Sequence, residues 1–125
     1  MIRCALFAAA AVCALPAVAQ MPRNFPANAL RGSFVVTQPP NVLINGQPAR
    51  LAPGSRIRGA NNLIALSGTL VGQRYIANYT IDVSGLVMDV WLLTPKEAAN
   101  RPWPTTPQEA AAWQFNPYLQ TWTKP

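Results

Sequence analysis

The sequence predicts a small, mainly β protein: an antiparallel barrel or sandwich of five to seven short strands, with a C-terminal arm of one or two short helices. Three observations predict it. The stretch Arg74–Thr94 holds two strand-like runs flanking Asp82-Val83-Ser84-Gly85, a turn in which Asp caps with its side chain and Gly accepts a left-handed backbone. Between residues 30 and 73, short β-forming runs alternate with turn residues, the spacing expected of hairpin-connected strands. After Thr94 the pattern Thr-Pro-x-Glu occurs twice, a helix-start signature.

The chain begins with a targeting segment. Arg3 supplies a positive n-region, Cys4 to Val18 is apolar, and Ala17-Val18-Ala19 before Gln20 fits a cleavage site. The apolar run falls short of the roughly 20 residues of a spanning helix, so residues 1–19 read as a signal peptide that is removed. A lipoprotein is disfavoured because Val12 precedes Cys13, where a small residue is needed. The implied product is secreted or periplasmic, with no transmembrane span once the signal is gone.

Cleavage leaves 125 − 19 = 106 residues, enough for one small domain. Cys4 and Cys13 leave with the signal, and the chain has no histidine, which excludes disulfide stapling, thiol catalysis and the commonest metal ligands. Nine basic residues then face Asp82, Asp89, Glu97 and Glu109, a net charge of +5. A basic protein of this kind favours anionic neighbours such as lipid head groups, wall polymers or an acidic protein. Export argues against nucleic acid.

Residues 20–29 read as an extended N-terminal arm with Phe25 as anchor, residues 30–94 as the β domain, and residues 95–125 as a Pro/Trp-rich tail. Leu30–Thr37 is the first strand, stopped by Gln38-Pro39-Pro40. Val42–Ile44 and Gln47–Leu51 flank Asn45-Gly46, the strongest short hairpin signal. Pro48 confines the second limb to an edge or irregular strand. Ala52-Pro53-Gly54-Ser55 reads as another turn, and Arg56-Ile57-Arg58 alternates so that both arginines share a face opposite Ile57. Leu63–Leu66 is an apolar run closed by Ser67-Gly68, and Thr69–Gly72 leads into the long hairpin.

In that hairpin a four-residue loop sets Ile81 opposite Leu86 and Asn78 opposite Asp89. It gathers Tyr75, Ala77, Tyr79, Ile81, Leu86, Met88, Val90 and Leu92 on one apolar face. A three-residue loop with a bulge at Gly85 would instead set Tyr79 against Asp89 and blur the segregation. The apolar face favours the first pairing. The expected core adds Phe34, Val36, Leu43, Ile57, Leu63, Leu66 and Leu70.

In the tail, Thr94-Pro95-Lys96-Glu97 and Thr106-Pro107-Gln108-Glu109 are both expected as capping boxes opening short helices, ended near Pro102 and Asn116-Pro117. Trp103, Trp113, Tyr118 and Trp122 are candidate partner-docking residues. The competing reading, favoured by their apolar area, lays Trp113 on the barrel and turns the chain back across a sheet edge at Asn116-Pro117.

No catalytic set assembles. Ser33, Ser55, Ser67 and Ser84 have no histidine for a base, and Lys96 and Lys124 stand in no motif. Asp82 and Asp89 are expected well over about 10 Å apart, too far for paired glycosidase carboxylates at about 5–9.5 Å. No metal spacing or phosphate loop is present, so no cofactor and no enzyme are expected. The candidate anion-binding set is Arg50, Arg56 and Arg58, with Arg31 and Arg74 as further members. Its alternative is a row of edge-strand arginines that block strand pairing.

At Phe25-Pro26-Ala27-Asn28-Ala29-Leu30-Arg31-Gly32, Leu51–Gly59 and Leu86–Thr94 the chain resembles an uncharacterised group of small exported, signal-peptide-bearing proteobacterial proteins. The resemblance covers residues 25–95, omits the aromatic tail, and implies export and a compact domain without transferable catalytic residues. The functional expectation is a non-catalytic binding or assembly module of the cell envelope, its partner an anionic envelope component or an envelope protein. A membrane- or wall-surface protein held by a basic patch is the alternative, and an enzyme comes third.

Overall fold

The computed structural model describes residues 22–125, so the expected signal peptide 1–19 and the first two residues of the arm lie outside it. Five strands close into a barrel: β1 (Leu30–Val36), β2 (Asn41–Ile44), β3 (Gln47–Arg58), β4 (Arg74–Ile81) and β5 (Val87–Leu92). Their order around the barrel is β1-β2-β3-β5-β4, with β4 pairing back onto β1. The predicted mainly β barrel is borne out, with one difference in its ladders: β3 and β5 run parallel.

Local chemistry explains the corners. Asn45 and Gly46 both take positive φ, 52° and 79°, so β2 and β3 meet in the expected two-residue hairpin. Ala52–Ser55, expected as a turn, does not reverse the chain. Gly54 has φ +79°, but β3 bends there and continues. Before the bend β3 pairs with β2 through Gln47–Arg50 and meets β5 at Leu51, opposite Val87; after it β3 pairs with β5 through Arg56–Arg58. A bulge of this kind lets one strand turn a barrel corner while keeping partners on both sides. Pro48 faces β2 ahead of that corner, where its missing N–H removes no bond to β5.

The long hairpin forms, and next to its turn it takes the alternative register, with Ile81 opposite Val87; a second bulge shifts the pairing by one more residue further out. Asp82 Oδ1 accepts from the N–H groups of Ser84 and Leu86 and Gly85 sits at φ +84°, as read from the sequence, but the Asp82 N–H donates to the Leu86 carbonyl, so the loop has three residues and not the favoured four. Beyond it, Ile81 opposes Val87, yet Tyr79 opposes Val90 and Asn78 opposes Trp91. Thr80 therefore faces two residues, Met88 and Asp89, and its hydroxyl meets the Asp89 N–H at 3.2 Å. This bulge brings both Val87 and Val90 inward, fully buried, and leaves Ile81 exposed and Met88 half-buried. The expected Asn78–Asp89 pair does not form.

The barrel core holds Leu30, Phe34, Val36, Val42, Ile44, Leu51, Ile57, Leu70, Ala77, Tyr79, Val87, Val90 and Leu92. Phe34, Val36, Ile57 and Leu70 were expected there. Leu43 is only half-buried, because its neighbours Val42 and Ile44 take the inward positions. Leu63 and Leu66 are corrections: Leu63–Leu66 is no strand, and both side chains are exposed. The barrel closes without them.

The tail folds back. Helix α1 (Pro95–Ala98) opens with a complete capping box between Thr94 and Glu97. Helix α2 (Pro107–Ala112) has half of one: Thr106 caps the Glu109 N–H, but the Glu109 carboxylate accepts from Thr105 instead of returning to Thr106. Strands β6 (Gln114–Asn116) and β7 (Thr121–Thr123) then form their own hairpin. A closed barrel offers no free edge, so the chain reverses onto itself rather than onto the sheet. Phe25 and Ala29 from the arm join Trp103 and Trp122 in a second core, against which Trp91, Leu93, Trp113 and Phe115 pack. The rings of Phe25 and Trp103 meet edge-on at 5.8 Å, and those of Phe115 and Trp122 lie 4.8 Å apart.

Candidate anion-binding groove

The outer face of β1 and β4 carries a polar ladder set by strand alternation. Arg31 opposes Asn78, Ser33 opposes Ile76, and Val35 opposes Arg74. The tail crosses one end of this ladder. Pro104 accepts from the Arg31 backbone N–H at 2.8 Å, and Trp103 donates its indole N–H to Ala29 at 3.0 Å. Arg31 is buried as a result. Its Nε donates to Asn78 Oδ1 at 3.0 Å, its Nη1 donates to the Asn100 carbonyl at 2.6 Å, and its guanidinium lies 4.8 Å from the Trp103 ring. Burial is the largest cause that lowers the Arg31 pKa, to about 10. The Glu97 charge opposes the shift and Arg101 adds to it. The group remains a cation at neutral pH, fixed in direction.

The rest of the ladder is open. A groove of about 540 Å³ runs over Arg31, Ser33, Arg74 and Ile76, with Asn45 on one side and Ala99 and Arg101 on the other. Gly32 shapes its floor: a Cβ there would lie 2.7 Å from Asn45 Nδ2, so only glycine lets Asn45 lean over β1 and accept from the Ser33 N–H. An adjoining depression shares Arg31, Arg101 and Thr105 and adds Trp113 and Lys124. Lys124 lies 5.3 Å from the Trp113 ring. Along this line stand Arg74, Arg31, Arg101 and Lys124 against one carboxylate, Glu109. Hydrogen bonds from Thr105 hold Glu109 below the usual carboxylate range.

The candidate residues read from the sequence fall into three groups. Arg50 and Arg56 are exposed and Arg58 is half-buried on β3, and these three line none of the groove. Arg56 stands beside Asp89 in the parallel register, so its nearest strand neighbour is a carboxylate. Arg31 and Arg74 do line the groove, Arg31 as a buried anchor rather than a solvated head group. Of the docking candidates, Trp103 and Trp122 lie in the second core and Trp113 packs against it, which leaves Tyr118 exposed at the β6–β7 turn. Sequence reading missed Arg101 and Lys124 as groove residues, since only the fold of the tail brings them to β1.

The carboxylates all serve the fold. Asp82 caps its turn, Asp89 meets Thr80, Glu97 pairs with Arg23, and Glu109 bonds Thr105. Among the described residues no cluster of His, Cys, Asp or Glu could hold a metal ion, and no helix is long and apolar enough to cross a membrane.

The fold and this groove define a five-stranded barrel with a basic surface channel, and a barrel of this type carries no function by itself. No family, curated protein or solved structure matches the chain.

Proposed function

We propose that the protein is a non-catalytic, exported binding module of the cell envelope, and that its ligand is anionic and lies along the β1–β4 groove. The observation that carries this reading is the convergence of Arg74, Arg31 and Arg101 on one open channel without a carboxylate among its lining residues. Like charges held together cost stability, and an anionic ligand offsets that cost while accepting paired hydrogen bonds from the guanidinium forks. The folded-back tail also favours it, because the aromatic residues that would make a docking arm are occupied.

Heparin and inorganic polyphosphate serve as probes, measured by calorimetry at low and high salt. Arg74→Ser/Arg101→Ser is expected to lower affinity at least about tenfold, two charge-assisted contacts being lost. Arg50→Ser should change it little, and salt should weaken it steeply. Unchanged affinity in the double variant, or binding indifferent to salt, refutes the groove.

A further inference from the structure

The segment 59–73 joins β3 to β4 at the barrel end where β1 and β5 also finish. After the Gly59–Asn62 turn it runs back along the end of β3. Gly59 donates to the Leu63 carbonyl, Ala65 donates to the Ile57 carbonyl, and Arg58 opposes Ile64. Leu70 then returns to the core. Along this segment Leu63, Ile64, Leu66 and Val71 are exposed to 66%, 56%, 71% and 48%.

Four large aliphatic residues in one loop are costly to leave in water, at roughly 25 cal/mol per Å². They mark a contact surface. Its chemistry narrows the partner. Residues 59–73 carry no charge, Arg56, Arg58 and Arg74 flank them, and the neighbouring carboxylate in the ladder is Asp89, beside Arg56. The loop contains no aromatic residue, whereas the anchors of protein interfaces are enriched in Trp and Tyr and poor in Leu and Val. An uncharged run with exposed aliphatic side chains, flanked in the chain by arginines, matches a lipid surface. The aliphatic side chains enter the acyl boundary, and the guanidinium groups stay at the level of the phosphates.

We propose that residues 59–73 form a membrane-contact loop, in which Leu63, Ile64 and Leu66 insert into an anionic lipid surface and Arg56, Arg58 and Arg74 bind its head groups. This surface is separate from the groove apart from Arg74, and each stands without the other.

The test is sedimentation of the exported protein, purified from expressing cells, with vesicles of phosphatidylglycerol and phosphatidylcholine or of phosphatidylcholine alone. Every variant shares one N-terminus, so any contribution from it cancels. Leu63→Ser/Leu66→Ser should lower affinity for the anionic vesicles about tenfold or more, at low and high salt alike. Arg56→Ser/Arg58→Ser should lower it by a similar factor at low salt only. Arg101→Ser, a groove change, should leave it unaltered, and its effect on heparin binding reports on the groove separately. If the double leucine variant misfolds, Leu66→Asp at a well-exposed position carries the same expectation. Unchanged vesicle affinity in the leucine variants overturns the proposal, as does equal binding to neutral vesicles or none to anionic ones. Loss of self-association in those variants, with vesicle binding intact, would make the loop an interface between copies instead.

Discussion

The arm of this protein is held by one buried ion pair, and breaking it should cost a large share of the folding free energy. Arg23 is 8% exposed and Glu97 17%. The Arg23 fork donates from Nε and Nη2 to both oxygens of Glu97, and also to the carbonyls of Gly59 and Leu92. It thus ties the arm to α1 and to the ends of β3 and β5. Burial alone would raise the Glu97 pKa. Hydrogen bonds from Arg23 and Thr94, with the Arg23 charge, outweigh it and hold the carboxyl below its ordinary value. In Glu97→Gln the guanidinium keeps its burial and loses its counter-charge, which costs about 3–5 kcal/mol. That is a large part of the roughly 5–15 kcal/mol a domain holds. Arg23→Met should cost about 2–3 kcal/mol, the loss of charged hydrogen bonds. The double variant should be less destabilised than the sum, since an apolar stem beside a neutral amide leaves no orphan charge. Urea unfolding at neutral pH measures all four proteins. The pH dependence supplies the sign. A carboxyl whose pKa is lowered on folding contributes its stability above the unfolded value, about 4.3, and loses it as pH falls through the folded value. Wild type should therefore lose more stability than Glu97→Gln on acidification below pH ~4. Additive single effects, or a cost for Glu97→Gln below about 1 kcal/mol, would show that solvent already screens the pair.

Trp103→Ala should cost about 3–5 kcal/mol in the same assay, because Trp103 sits in the second core and anchors Ala29 through its indole N–H. Tyr118→Ser, at 94% exposure, should stay within about 0.5 kcal/mol; equal effects would mean that the tail is not packed. Gly85→Val should lower stability by about 1–2 kcal/mol, since φ +84° is strained for a branched residue. Gly68→Ala, with no positive φ and no atom near its Cβ, should change it by less than about 0.5 kcal/mol. A Gly85 variant as stable as the Gly68 variant would refute the turn assignment.

What the sequence disclosed follows the range of the interactions. Asn45-Gly46, Asp82 with Gly85, and the Thr94 box are local, satisfied within a few residues, and each folds as its chemistry demands. Register is different. The expected face of the β4–β5 hairpin rested on strict alternation, and one bulge in β5 opposite Thr80 moved Val87 inward, while Ile81, paired with it at the end of β4, stays exposed. A threonine opposite an Asp-containing limb was the visible signal, since a hydroxyl can take the extra N–H that a bulge frees. Leu63 and Leu66 misled because hydrophobicity was equated with burial, while the core was already filled by Leu70 and the strands. The groove was half legible. Arg31 and Arg74 alternate outward on strands that pair, but Arg101 and Lys124 reach them only through the tail.

The distribution of charge ties these features to function. Between residues 22 and 125 the chain has nine basic and four acidic side chains, a difference of +5. Each acidic group is engaged by its own neighbourhood, two at turn or bulge positions and two at helix starts. Only Glu97 is joined to a cation among the described residues, and that cation, Arg23, is buried. Six basic residues are left exposed: Arg50, Arg56, Arg74, Lys96, Arg101 and Lys124. Such charges add little to folding, and their mutual repulsion opposes it. Among the described residues none of these six is joined to a carboxylate at ion-pair distance. In the proposed role, an anionic surface or polymer would draw the protein toward it over a Debye length and offset the repulsion once bound. Under that proposal the groove would offer such a ligand a fixed guanidinium in Arg31, and the proposed contact loop at the barrel end would add an apolar foothold.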